Sequence, residues 1–380
     1  MSMQKQKLYI MGHNPNTLAE AEEFLRAGAN ALEPDICFDA ARPDRFYVSH
    51  GTIGSNEFIP ENSLATYMQG LRRLITDPAN GFNLALIAFD VKTPTFDINE
   101  FVRVVVEHFS AHPVCEGVAV LITVGSTDDI GFLNAYDQSR ANFAVGVDEA
   151  KEPAAVEAGF RGAGQKRFAF ANGSIVPAVK FGLFKSILAA KAVQARGGAE
   201  SFRLVYAWVI NSESSLRSYL DVHVDGFIMD VEAVPTLLRV LEEPHFARMY
   251  ELAANGYNPF DAPPPPRYLL TVKTRDVRKA GTDVPVRFTL EGTAGTLETT
   301  LDADFRDILE RDNTDFLTLE GIDIGEVVRL TVAQQSSGLN SGWLPEFIRL
   351  ESSLLPAPLT FQFGEDEWLT FGNSVTKTPG

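Results

Sequence analysis

Residues 28–36 read Gly28-Ala29-Asn30-Ala31-Leu32-Glu33-Pro34-Asp35-Ile36, and residues 84–92 read Leu84-Ala85-Leu86-Ile87-Ala88-Phe89-Asp90-Val91-Lys92. Each is a short apolar run that carries acids at or near its end. Such runs, bounded by turn signals, read as strands buried in a parallel sheet. The same texture recurs at 8–11, 118–124, 143–147, 168–171, 204–210 and 226–229. Helical periodicity fills the gaps at 17–27, 62–75, 98–109, 176–195 and 234–241. Strands alternating with helices over roughly 250 residues predict an α/β fold, a (β/α)8 barrel.

A boundary follows at Pro263-Pro264-Pro265-Pro266. Consecutive prolines cannot sit inside a helix or a central strand and form a stiff extended spacer. The predicted division is a barrel over 1–260, a linker over 261–266 and a second domain over 267–380. In that second part, strand patterns at 268–274, 284–290, 316–319, 327–332 and 347–350 lie between turn residues, and helical patterns are scarce. That texture predicts an antiparallel β-sandwich.

The 380 residues carry a net charge of −17, with 45% hydrophobic and 22% charged residues. This is a globular composition. Its acidity argues against nucleic-acid binding and against attachment to anionic lipid through bulk charge, but leaves zwitterionic lipid open. Cys37 and Cys115 make no disulfide scaffold and read as free thiols. No apolar run reaches the roughly 18 residues of a membrane span. The first seven residues are polar, without an apolar signal core.

The chemistry gathers at strand ends, where this barrel type carries its active site. Gly12-His13-Asn14 follows the first strand. Glu33 and Asp35 lie two apart, and so do Asp90 and Lys92. That spacing turns side chains to one face of a strand. Three carboxylates form a hard oxygen cluster suited to Mg²⁺ and a substrate phosphate. Lys92 adds a fixed positive charge for that phosphate. His13 and His50, the latter in Ser49-His50-Gly51, could move protons as general acid and base. The set reads as a metal-assisted phosphodiester-cleaving site. Taken singly, each residue has a plainer reading: acids two apart on a strand are mostly solvated edge carboxylates, and Trp208 in an apolar run is more often core than a ligand platform.

The segments 12–14, 28–36, 49–51 and Ala88-Phe89-Asp90-Val91-Lys92-Thr93 resemble the sphingomyelinase D family, the phospholipase D toxins of spiders and their bacterial and fungal relatives, kin to the glycerophosphodiester phosphodiesterases. Glu61-Asn62-Ser63 through Gly70-Leu71-Arg72, Tyr206-Ala207-Trp208 with Asn211, and Ala253-Ala254-Asn255-Gly256-Tyr257-Asn258-Pro259-Phe260 fit the same family in order. The resemblance implies His13 and His50 as the acid/base pair, Glu33, Asp35 and Asp90 as Mg²⁺ ligands, Lys92 on the phosphate, and Trp208 with Asn211 at the headgroup. It implies headgroup cleavage of sphingomyelin or lysophospholipid, in which attack by a substrate hydroxyl yields a cyclic phosphate. It also implies a secreted protein. Departures are the loop 52–56, which lacks the toxins' bracing cysteines, Asn211 where an acid is usual, and Pro34 between the two acids.

Tyr268–Thr274, Ala280-Gly281-Thr282-Asp283, Gly342-Trp343-Leu344 and Glu367-Trp368-Leu369 resemble the lipoxygenase-type lipid-binding sandwich called PLAT. Such a domain implies docking on lipid or on a partner protein, in some members with Ca²⁺ in the loops. Asp276, Asp283 and Asp312 are candidate Ca²⁺ ligands or plain turn residues. Trp343 is either an interfacial anchor or sandwich core. The reading is a lipid phosphodiesterase with a targeting sandwich. Its rivals are a glycerophosphodiesterase acting on soluble diesters and an inactive lipid-binding adaptor.

Overall fold

The structure, a computed structural model, describes residues 5–50, 62–148, 152–174, 183–303, 307–338 and 342–380. The first domain has eleven strands: β1 (Gln6–His13), β2 (Ala31–Glu33), β3 (Asp35–Phe38), β4 (Phe46–Val48), β5 (Leu86–Val91), β6 (Ala119–Val124), β7 (Phe143–Val147), β8 (Phe168–Gly173), β9 (Leu204–Trp208), β10 (Gly226–Met229) and β11 (Tyr250–Leu252). Parallel pairing runs β1-β10-β9-β8-β7-β6-β5-β2 and returns to β1, which closes an eight-stranded barrel. Every residue of β5 and β6 is buried, because helices cover the outer face and side chains fill the lumen. Lumen residues include Tyr9, Met11, Ala88, Leu121 and Tyr206.

The helices are α1 (Leu18–Ala27), α2 (Leu64–Thr76), α3 (Ile98–Val105), α4 (Ile130–Asn134), α5 (Pro153–Gly162), α6 (Leu183–Gly197), α7 (Glu213–Asp221), α8 (Val234–Leu241) and α9 (Pro244–Met249). Helix α1 shows why the chain folds as read. Thr17 and Glu20 form a reciprocal capping box, and Gly28 stops the helix at φ +104°. The helix expected over 98–109 is α-helical only to Val105 and continues as a π turn, Val106–Ser110. The first part of the helix expected over 176–195, residues 176–182, lies outside the described residues. Strand β9 stops at Trp208, short of the expected residue 210.

The second domain is a sandwich of β12 (Arg267–Thr274), β13 (Val286–Gly292), β14 (Thr296–Leu301), β15 (Thr314–Glu320), β16 (Val327–Gln334), β17 (Pro345–Glu351), β18 (Leu359–Gln362) and β19 (Ser374–Lys377). One sheet runs β15-β12-β17-β18 and the other β14-β13-β16-β19, all antiparallel. Alternate residues such as Leu270, Val272, Phe288, Leu290, Leu330 and Val332 form the core between them.

The prolines do not hold the two domains apart. Helix α6 packs on β15 and β12, and α7 packs on β14. At that interface Lys191 Nζ lies 2.6 Å from Glu320 Oε1, and Arg267 Nε lies 3.2 Å from the same oxygen. The Lys191 and Glu320 side chains are both 1% exposed. Both cysteines are free thiols and buried. No helix among the described residues is long and apolar enough to cross a membrane.

Candidate active site

Two strand registers assemble the site. β1 beside β2 sets His13 opposite Glu33. β3 beside β5 sets Asp35 opposite Asp90. Pro34 has no N–H, so the second strand breaks there into β2 and β3, yet the carboxylates on either side still converge. Ligand atoms of Glu33, Asp35 and Asp90 lie within 4.8 Å of one another, all three residues buried. Among the described residues this is the one such group of His, Cys, Asp or Glu.

The carboxylates are held by short local bonds. The Asn14 amide, at φ +53°, donates to Glu33 Oε2 at 3.0 Å. Asn16 Nδ2 donates to Asp35 Oδ2 at 2.7 Å, and Asn16 Oδ1 accepts from the Asp35 amide at 2.9 Å. Lys92 Nζ stands 3.0 Å from Asp35 Oδ1 and bonds Asp90 Oδ2. Burial disfavours the charged Lys92, but Asp90 and Asp35 outweigh it and hold the ammonium above its ordinary range. Glu33 moves well above the usual carboxylate range, first through burial and then through Asp35 and Asp90, against the opposing pull of the Asn14 N–H and Lys92. Three buried carboxylates against one ammonium leave surplus negative charge. A hard dication fits this all-oxygen donor set and would offset that surplus.

His13, at the end of β1, has Nδ1 3.3 Å from Asp230 Oδ1. Asn211 Nδ2 donates to Asp230 Oδ2 at 2.5 Å, and the Asp230 amide donates back to Asn211 Oδ1 at 3.0 Å. Asp230, from the end of the neighbouring strand β10, thus places an acid beside Asn211 and facing His13. The strand-end rule that found Asp90 could have found it, since it follows Met229 directly. Nothing in the sequence pattern marked Asn16.

β4 turns back antiparallel on β3, pairing Val48 with Ile36, and the Ser49 amide donates to the Asp35 carbonyl at 3.1 Å. His50 lies two residues beyond β4 and is exposed. The loop 52–56 and the rest of 51–61 lie outside the described residues. Trp208 ends β9 half-buried, and its indole N–H donates to the Asp148 carbonyl at 2.5 Å. It is thus neither sealed core nor a free platform.

In the sandwich, the candidate Ca²⁺ ligands do not converge. Asp276 pairs with Arg311 and Asp312 with Lys273, each at 2.6 Å, and neither these two nor Asp283 belongs to a converging ligand group among the described residues. Trp343 is sandwich core, fully buried, with its indole N–H donating to Thr274 Oγ1 at 3.0 Å.

Residues 3–260 match the family model described as Dermonecrotic toxin SPH. The chain belongs to that dermonecrotic toxin family. Residues 268–377 match the PLAT/LH2 domain. Among toxins of the family, the chain is 26% identical over 278 residues to LruSicTox-alphaIC1b of Loxosceles rufescens, covering 67% of this chain and 98% of the toxin. It is 26% identical over 284 residues to LarSicTox-alphaVII1 of Loxosceles arizonica, covering 67% and 99%. A phosphodiesterase structure from Oleispira antarctica aligns at TM-score 0.44 and 13% identity, over 62% of this chain and 97% of that one. A coral 8R-lipoxygenase aligns at TM-score 0.27 and 22% identity, over 30% of this chain and 17% of that one. Membership of the dermonecrotic toxin family, with the buried acidic cluster at the strand ends, makes the barrel a phospholipase D-type phosphodiesterase acting on phospholipid headgroups.

Proposed function

We propose that the enzyme releases the choline or ethanolamine headgroup from sphingomyelin or lysophospholipid, with Mg²⁺ held by Glu33, Asp35 and Asp90. The observation that carries this is the convergence of those three buried carboxylates with Lys92 and, next to Glu33, His13. When bound, the metal supplies Lewis-acid polarisation of the phosphoryl oxygens. Lys92 holds a phosphate oxygen. His13 and His50 take and give protons at the attacking and leaving oxygens, and Asp230 fixes the His13 ring. Trp208 and Asn211 line the headgroup side. A free hydroxyl on the substrate, placed near the phosphorus, closes a cyclic phosphate. ³¹P NMR of product mixtures from sphingomyelin, lysophosphatidylcholine and glycerophosphocholine tests this. Headgroup release lost in His13→Ala and in excess chelator is expected. Full turnover in either, or preference for glycerophosphocholine, refutes it.

The sandwich serves as a lipid-docking module. Trp368, 37% exposed, and Phe371, 55% exposed, sit between β18 and β19. Backbone bonds tie that end together: Trp343 pairs with Leu369, Arg275 with Leu344, and Thr282 with Leu309. Asp307, just before Leu309, meets Lys185 at the start of α6, the helix that follows the catalytic end of β8. The exposed aromatics therefore share an end with the barrel mouth. Phosphatidylcholine liposome flotation should weaken in a Trp368→Ala, Phe371→Ala double variant, and unchanged flotation refutes the docking.

A further inference from the structure

A cavity of about 330 Å³ lies at the foot of the barrel, opposite the carboxylate cluster. Its barrel wall comes from the starts of β1, β9 and β10, its other walls from the proline run and the sandwich. In a chain of net charge −17, its lining carries five lysine and arginine side chains against three carboxylates. Two donors there are unspent. Tyr9 lines the cavity, and its hydroxyl, buried on a residue 1% exposed, has no hydrogen-bond partner. Arg203 forms no ion pair among the described residues; its buried Nε has no partner, while Nη1 reaches only the Ala262 carbonyl at 3.4 Å. Burial pushes the Arg203 guanidinium below its ordinary range, opposed by Asp261 and reinforced by the nearby Arg267 and Arg167. A buried donor left unsatisfied keeps the full cost of its desolvation, which a ligand acceptor would relieve. Phe202, Met249, Leu297 and the prolines supply an apolar part of the lining.

We propose that this interdomain cavity is a second binding site, for a small organic anion with a phosphate or carboxylate head and an apolar body. The head takes the Arg203 guanidinium and the Tyr9 hydroxyl, while the body lies against the prolines and Leu297. The volume is at the lower end of small-molecule pockets. Because the walls come from both domains, occupancy also braces their contact and stabilises the folded chain.

The test is isothermal titration calorimetry on the full chain in EDTA, with phenyl phosphate and benzoate as probes and benzyl alcohol as the uncharged comparison. The expected result is one-site binding of at least one anion, weakened about tenfold or more by Arg203→Gln, as for the loss of a charge-assisted bond. Thr296→Trp should also abolish it: Thr296 lines the cavity from the sandwich and is exposed, so the substitution fills the space without touching a buried charge. Lys92→Met should leave it intact. Absence of saturable binding for both anions, equal binding of benzyl alcohol, indifference to both cavity variants, or loss in Lys92→Met overturns the proposal. The last outcome would place the anion at the catalytic carboxylates, and ³¹P NMR turnover in magnesium judges that site separately.

Discussion

Replacing Glu320 by Gln tests whether the domains are locked by buried charge. Glu320 is fully enclosed. Burial alone would raise its carboxyl, but Arg267, Lys191 and His223 bring it from an ordinary 4.5 down to about 2. At roughly 1.36 kcal/mol per pH unit, that difference corresponds to about 3 kcal/mol favouring the ionised, docked state. The range for breaking a buried ion pair, about 3–5 kcal/mol, agrees with it, because Lys191 would be left 1% exposed with Asp225 at 3.6 Å as its remaining carboxylate. Urea unfolding of the full chain at pH 7 should show a loss of this size, and scanning calorimetry should show the barrel and sandwich transitions separating. A Lys191→Met, Glu320→Gln double variant should lose less than the sum of the single variants, since neither charge is stranded. The sign with pH is fixed too. The contribution is whole above pH 4.5 and fades as pH falls toward 2. A loss below about 1 kcal/mol in Glu320→Gln, or strict additivity in the cycle, would refute the lock.

His223, buried near this network, is held down to about 4 from an ordinary 6.5, chiefly by burial. The unfolded chain then binds the extra proton, so stability present above pH 6.5 drains as pH falls toward 4. Urea unfolding should lose about 2 kcal/mol between pH 7 and 5, and His223→Gln should flatten that slope. Gly12→Ala would place a Cβ 2.4 Å from the Phe24 ring, immediately before His13. A melting shift worth roughly 1–3 kcal/mol and reduced headgroup release should appear together. Asp230→Asn removes the charge facing His13 while preserving shape. Turnover should fall about tenfold or more with an unchanged melting temperature, and wild-type turnover would show that Asp230 does not orient the ring.

The barrel strands were legible because each is a short apolar run between amphipathic stretches, and that pattern is local. The converging acids were legible for the same reason: spacing of two on a strand is a one-dimensional signal that survived the break at Pro34. Strands β14, β18 and β19, all sheet edges, escaped, whereas the edge strand β15 did not, because α6 packs on it and buries most of its residues. An edge strand packs less of itself and carries polar residues, as Ser374–Lys377 does, so its alternation is faint. Asp230 escaped as a partner of His13 because the two are 217 residues apart and meet only when β10 pairs with β1.

The sequence alone determined the two folds, the carboxylate triad, Lys92 and His13, because periodicity and strand-end spacing are written within a few residues of each other. Barrel closure decided the rest. It brought Asp230 to His13 and fixed which carboxylate faces which. Docking of α6 on β15 then buried Lys191 against Glu320 and enclosed the cationic cavity. Those features depend on segments hundreds of residues apart sharing one low-dielectric space, where a charge is governed by its spatial neighbours and no longer by its neighbours in the chain.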